Sequence, residues 1–200
     1  MGLMERKKAG RRQRILAVAR HYFSEKSFES TTMQEIATGA EVAVGTLYGY
    51  FRNKVAIAEA LSAEDLDRAT AKALSTLPTA SVVAQLLHVF RVFYDHHRQE
   101  VRLMRVVVKE LSLACDADSP QREARFMTLF ESLANLVADA QQRGEITPEA
   151  DAFDVAVNAF ALYYFYLVGF LSGQPAFDPP EEHLERALAM LFRGLTRTDP

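Results

Sequence analysis

Cysteine occurs once in 200 residues, at Cys115, so the chain can form no intrachain disulfide and no zinc site built on cysteines. A reducing compartment, the cytoplasm, suits such a chain. Glycine, with 9 residues, and proline, with 7, are scarce and fall mainly between apolar runs, whereas Ala, Leu, Glu and Arg recur. That balance predicts helix throughout. Strand alternation, a fixed-period repeat and low-complexity tracts are all missing, which removes sheet, solenoid and disordered readings. The basic start, residues 1–14, is not followed by the apolar stretch and small-residue cleavage site of a secretory signal. It reads as an arm.

Signals of catalysis are missing as well. There is no phosphate-cradling glycine loop, no metal-ligand spacing and no nucleophile set beside a base, so catalytic residues, a resident metal and a cofactor are not expected. His96 and His97 are adjacent and point to different sides of a helix, and no set of histidines and carboxylates at i, i+4 spacing accompanies His88. Residues 155–171 have only Asn158 as a strongly polar member and touch the lower edge of the ~17 to 25 residues that cross a bilayer. Asp151 and Asp154 flank them, no Lys/Arg cluster does, and Gly173-Gln174-Pro175 breaks the run. A helix buried on nearly every side, in a core or a subunit interface, is expected instead of a membrane span.

What is present divides by charge. Residues 1–54 hold 10 Lys/Arg against 5 Asp/Glu, about +5, and residues 55–200 hold 13 against 21, about −8, which together give the net −3 of the chain. A basic head can neutralise phosphates while an acidic body is repelled by them, so the head is the end expected to face nucleic acid.

Ile15, Leu16, Ala19, Tyr22 and Phe23 recur at helical spacing and predict an amphipathic first helix ending near Ser27. Thr31 and Thr32, ahead of Gln34 and Glu35, have the spacing of a capping box that opens a short second helix carrying Ile36, Ala37 and Ala40 inward. A short third helix is expected over 44–50, and Asn53 caps a fourth that runs from Lys54 towards Leu77, where Pro78 stops it. Longer helices are expected over 81–97, 100–113, 120–143, 148–171 and 180–195. Ser119-Pro120 and Thr147-Pro148 each pair a capping residue with proline at the first helical position, Pro180 suits that same position, and Gly144 suits a C-terminal cap. The expectation is an all-α chain of about nine helices.

Residues 31–54 set two short helices on either side of a tight turn, the arrangement in which one helix braces against a core while the next enters the major groove. Their wording is Ile36-Ala37, Ala40, Val42, Gly45-Thr46-Leu47-Tyr48, Tyr50-Phe51 and Asn53-Lys54, with Ile15, Ala19 and Phe23 upstream. It closely resembles the DNA-binding segment of the TetR family of transcription regulators, over the first quarter of the chain by motif and over the rest by length and helix number. The resemblance implies a helix-turn-helix, three-helix DNA-binding domain at 1–56 and a helical effector-binding and dimerisation domain at 57–200. It further implies a cytoplasmic repressor, not an enzyme, that binds palindromic operator DNA as a homodimer, without a membrane, and is released by a small apolar or amphipathic effector.

Carried over position by position, Thr46, Tyr48, Tyr50 and Lys54 are the expected phosphate and groove contacts. Val44, Gly45 and Gly49 lie on or near the groove-facing helix, and Thr32 joins the set at the start of the second helix. Hydroxyls donate to phosphate oxygens, Lys54 adds charge and small residues let the backbone approach the bases. Leu47 and Phe51 are expected in the core. The pattern is broken by Glu41, where the turn often has glycine, by Ala43 and Val44, where a cap and a polar contact are usual, and by Gly49, where a contact-capable side chain is frequent. These departures support an alternative, a chain of the same fold with a weakened DNA-reading head that acts through protein contacts. The basic residues Arg6, Lys7, Lys8, Arg11, Arg12 and Arg14 can compensate through minor-groove or phosphate contacts, or form a solvated tail.

The resemblance also implies a ligand pocket within 81–171. Phe90, Phe93, Tyr94 and Met104, with Phe126, Phe130, Tyr163 and Tyr164, suit a largely apolar cavity with a few polar handles, although stripes of this kind also build ordinary core. The last two helices are expected to pair two copies, with Phe160, Leu167, Leu184, Leu188 and Leu191 on the pairing surface.

Overall fold

The computed structural model describes residues 2–111 and 120–196, and within them every regular element is helical. Cys115, Ser119 and the expected end of the sixth helix at 113 lie outside the described residues. Nine α-helices are described: α1 (Leu3–Glu25), α2 (Met33–Gly39), α3 (Val44–Tyr48), α4 (Lys54–Ser75), α5 (Val82–Gln99), α6 (Val101–Leu111), α7 (Pro120–Gln142), α8 (Ala152–Leu171) and α9 (Pro180–Arg193), with a short 3-10 turn at Pro175–Phe177. They form two compact units, Met1–Asp65 with Gln99–Ala114, and Leu66–Arg98 with Cys115–Pro200. The division falls inside α4.

In the first unit, Ile15, Leu16, Ala19 and Phe23 of α1 close over Ile36 and Ala37 of α2, Leu47 of α3, Ile57 and Leu61 of α4 and Leu103 and Val106 of α6, all buried. Gly39 sets how near α2 comes to α1: a Cβ there would lie 2.7 Å from both the Tyr22 hydroxyl and Val18 Cγ1. Arg20 of α1 donates to both oxygens of Asp65, at 2.8 and 2.9 Å, and to Glu100. Asp65 is only 2 % exposed, on the same face of α4 as Ile57 and Leu61, so its charge requires that partner.

Residues 3–14 are not an extended arm. They are the first half of α1, exposed throughout except at Arg12, where the guanidinium meets Glu64 at 2.6 Å and lies 5.6 Å from the centre of the Phe51 ring. Lys, Arg, Ala and Met favour helix, and extending one already packed from Ile15 onwards needs no new nucleus. Apolar periodicity could not reveal this stretch, because nothing there is buried.

In the second unit, α8 packs against α7 and α9. Its start differs from expectation: Thr147 and Pro148 stay outside the helix, and Asp151 caps it by accepting from the backbone N–H groups of Phe153 and Asp154 at 2.8 and 3.0 Å. A carboxylate taking two N–H groups is a stronger helix start than a hydroxyl followed by proline. Gly144, at φ +74°, ends α7 as expected, and Pro180 opens α9. By length and composition α8 is apolar enough to cross a membrane. It is not buried on nearly every side: Val155, Ala159, Tyr163, Leu167 and Leu171 face inward, while Phe165 is 59 % exposed.

Candidate nucleic-acid interface

The helix-turn-helix is built by local rules. Thr32 caps α2, its hydroxyl oxygen accepting the Glu35 N–H at 3.1 Å, while the Glu35 carboxylate accepts the Thr32 N–H at 2.8 Å and its hydroxyl at 2.9 Å. Lys26 adds an ion pair to Glu35 at 3.0 Å. Donation from Lys26, then from the Thr32 backbone and hydroxyl, pulls the Glu35 carboxyl down to about 2. The turn closes with the Glu41 N–H on the Thr38 carbonyl and the Val42 N–H on the Ala37 carbonyl. That geometry puts Glu41 at φ +54°, the left-handed region where a side chain is strained and glycine is not. Ala43 precedes α3 without a side-chain cap.

α3 is held by one side chain. Leu47 is buried, and Phe51 just beyond it is buried too, as expected of core anchors. Gly45 and Gly49 are exposed, Tyr48 is 53 % exposed, and Val44, Thr46 and Tyr50 are half-buried. Residues at i, i+3 and i+4 share a helix face, so Gly45, Tyr48 and Gly49 form one outward strip. A Cβ on Gly45 would meet nothing within 4 Å, whereas one on Gly49 would lie 3.2 Å from the Thr46 carbonyl oxygen.

Two of the expected contacts also serve the scaffold. Thr32 is committed to the cap. Lys54 donates to the carbonyls of Phe28 and Glu29, at 2.6 and 3.1 Å, with its ammonium 4.7 Å from the centre of the Phe28 ring. It therefore pins the α1–α2 loop to the start of α4, whose first turn Asn53 caps through the Ala56 N–H at 2.8 Å.

In the second unit, Phe90, Phe93, Tyr94 and Tyr163 come together and are buried. Phe90 stacks on Tyr163 at 4.8 Å, the Tyr94 hydroxyl donates to the Tyr163 carbonyl at 3.0 Å, and the Tyr163 hydroxyl lies 2.7 Å from His97 Nε2. Burial raises the phenols of Tyr94 and Tyr163, which stay neutral. Phe126, Phe130 and Tyr164 gather around Phe160, whose ring lies 5.5 Å from that of Tyr163, so the two groups adjoin; Met104 belongs to the first unit, buried on α6. His97 was not expected in this cluster; its position four residues beyond Phe93, on the buried face of α5, was the available signal. Among the described residues no group of three or more His, Cys, Asp or Glu could hold a metal.

Of the residues expected on a pairing surface, Leu167, Leu184 and Leu188 are buried inside the unit, where α8 meets α9, and Phe160 and Leu191 are half-buried. The larger apolar side chains left outward on these helices are Phe165, Val168 and Met190.

The family model for bacterial regulatory proteins of the tetR family matches residues 15–61. The regulator UidR of Escherichia coli strain K12, described as an HTH-type transcriptional regulator, is 30 % identical over 138 residues, 69 % of this chain and 70 % of that one. The transcriptional repressor KstR of Mycobacterium tuberculosis is 24 % identical over 182 residues, covering 91 % and 80 %. Among solved structures, FadR of Thermus thermophilus, a TetR family repressor in complex with lauroyl-CoA, superposes with a TM-score of 0.67 at 25 % identity, over 94 % of this chain and 97 % of that one. A TetR regulator from Rhodococcus sp. RHA1 has the same fold, with a TM-score of 0.75 at 21 % identity over 96 % and 100 %.

Proposed function

This chain belongs to the TetR family and is a transcription regulator, not an enzyme, and from that premise we propose that it is a repressor that grips palindromic operator DNA as a homodimer and lets go when a small effector enters its second domain. The observation that carries this reading is the strip Gly45-Tyr48-Gly49, turned outward on a helix anchored by Leu47. Two glycines let the backbone approach base edges, and the Tyr48 hydroxyl reaches a phosphate oxygen. We take 1–56 as the DNA-reading domain and 57–200 as the effector and dimer domain, working in the cytoplasm.

The effector is apolar or amphipathic. The aromatic residues around Tyr163 offer large apolar faces, and His97 with the Tyr163 hydroxyl offers a polar end; that the Thermus thermophilus relative is in complex with lauroyl-CoA supports a ligand of this kind. The second copy pairs through α8 and α9, with Phe165, Val168 and Met190 as its outward apolar residues beside Phe160 and Leu191. Two heads then read half-sites about 34 to 36 Å apart, and an effector that moves them out of register releases DNA.

The strained Glu41 and the missing cap at Ala43 favour one rival, a head too weakened to bind operator that works through protein contacts. Titrating the protein against a fragment of its own promoter at several salt concentrations separates the two. A repressor shows affinity falling steeply with salt, and Tyr48→Ala lowers affinity while helix content and dimer stay intact. Binding with no salt dependence, or untouched by Tyr48→Ala, favours the rival.

A further inference from the structure

We propose, on the premise of operator binding, that the exposed first half of α1 is a second DNA contact: a helical clamp that follows the phosphate backbone flanking the site read by α3. Three observations carry this.

The first is shape. Residues 3–14 are helical, and a helix about 10 to 12 Å across does not enter a minor groove about 6 Å wide. The basic stretch therefore reads no bases there and meets phosphates. The second is the distribution of charge. Of six basic residues, Arg12 is drawn inward to Glu64, and the other five remain exposed. At roughly 100° per residue, Lys7, Arg11 and Arg14 share an arc of about 60°, centred roughly 130° round the helix from the buried residues Ile15, Leu16, Ala19 and Phe23. The third is place. The helix leaves the packed unit where Arg12 covers Phe51, beside Tyr50 and the Asn53 cap, so the extension begins at the junction that follows α3.

A helix from Leu3 to Arg14 is about 17 Å long and runs along roughly five base pairs of duplex. An acidic membrane surface fits less well. The apolar residues Leu3 and Met4 sit together at one end, and no apolar stripe continues through the basic stretch to lie in a lipid interface.

The test uses the full chain and the variant Lys7→Gln/Arg11→Gln/Arg14→Gln, titrated by fluorescence anisotropy on two duplexes from its own promoter. One is trimmed to the palindrome and the other carries about six further base pairs on each side. The unsubstituted protein is expected to bind the longer duplex at least tenfold tighter, with a salt dependence steeper by up to about 2.7 in log–log slope per protomer. The triple variant loses both differences and keeps the same affinity for the trimmed duplex. Exchanging A·T for G·C in the flanks changes nothing. Equal affinity of the unsubstituted protein for the two duplexes overturns the clamp and leaves operator reading standing; failure to bind either duplex overturns both. Weaker binding after the A·T exchange overturns the phosphate assignment in favour of minor-groove reading. Loss of binding to phosphatidylglycerol vesicles by the variant, with its DNA slopes unchanged, overturns it in favour of a lipid surface.

Discussion

α3 and α8 turn opposite faces outward. α3 has five residues, one buried leucine and, with Gly49 just beyond its end, an outer strip of two glycines and a tyrosine. α8 has twenty residues, a complete inner stripe and a second set of large apolar side chains still exposed. One helix presents little side-chain bulk outward; the other keeps hydrophobic area that water solvates poorly. A polyanion with grooved edges suits the first, and a matching apolar surface suits the second. On the reading proposed above, a missing side chain marks a contact as well as an exposed one does.

The sharpest break of that contrast is Gly45→Leu. Nothing in the chain lies within 4 Å of the new Cβ, so the melting temperature should hold while operator affinity falls at least 100-fold, about 2.7 kcal/mol. Retained affinity would remove α3 from the groove. Phe165→Asp addresses the other helix: an exposed apolar residue becomes charged, and if α8 pairs with a second copy the dimer should weaken by about 1.5 to 3 kcal/mol per side chain. Sedimentation would then show monomer at concentrations where the unsubstituted protein is dimeric, and an unchanged dimer would mean that this face pairs with nothing. Glu41→Gly relieves a left-handed residue in the turn that aims α3, and it should raise stability by up to ~1 kcal/mol in chemical denaturation. A destabilised variant would show that the glutamate is held there by something worth more than its strain.

The smallest effect is a pH dependence confined to the α2 cap. The Glu35 carboxyl is held below its ordinary value of 4.5, at about 2. Its contribution is therefore complete above pH 4.5 and is lost as pH falls through about 2. Glu35→Gln should melt below the parent at neutral pH, and the two should converge near pH 2. A gap that persists there would assign the stabilisation to side-chain shape instead of charge.

Much of this was legible because it is local. Thr32 with Glu35, Asn53, Gly144 and Pro180 sit within a few residues of what they cap, and each appears where the spacing placed it. The burial of Leu47 and Phe51 followed from the family resemblance of the segment around them. What escaped was long-range or outbid. Arg20 finds Glu100 across 80 residues, and no periodicity names such a partner. Leu184 and Leu188 mark an apolar face, but a sequence does not say whether that face meets its own chain or another. Thr147-Pro148 is a sound helix start that lost to a better one four residues later. Ser27, at φ +111°, carries no glycine to announce the turn it makes.

The carboxylates around Arg20 sit at a revealing place in the chain. The polypeptide leaves the first unit after Asp65 and comes back at Gln99, and Asp65 and Glu100 are both gripped by that one guanidinium. The outgoing helix α4 and the residue just ahead of the returning α6 are thus tied to a single planar group on α1, the helix that also packs against α2. Both segments of the first unit thus lean on one cation, and replacing Arg20 would loosen the two together.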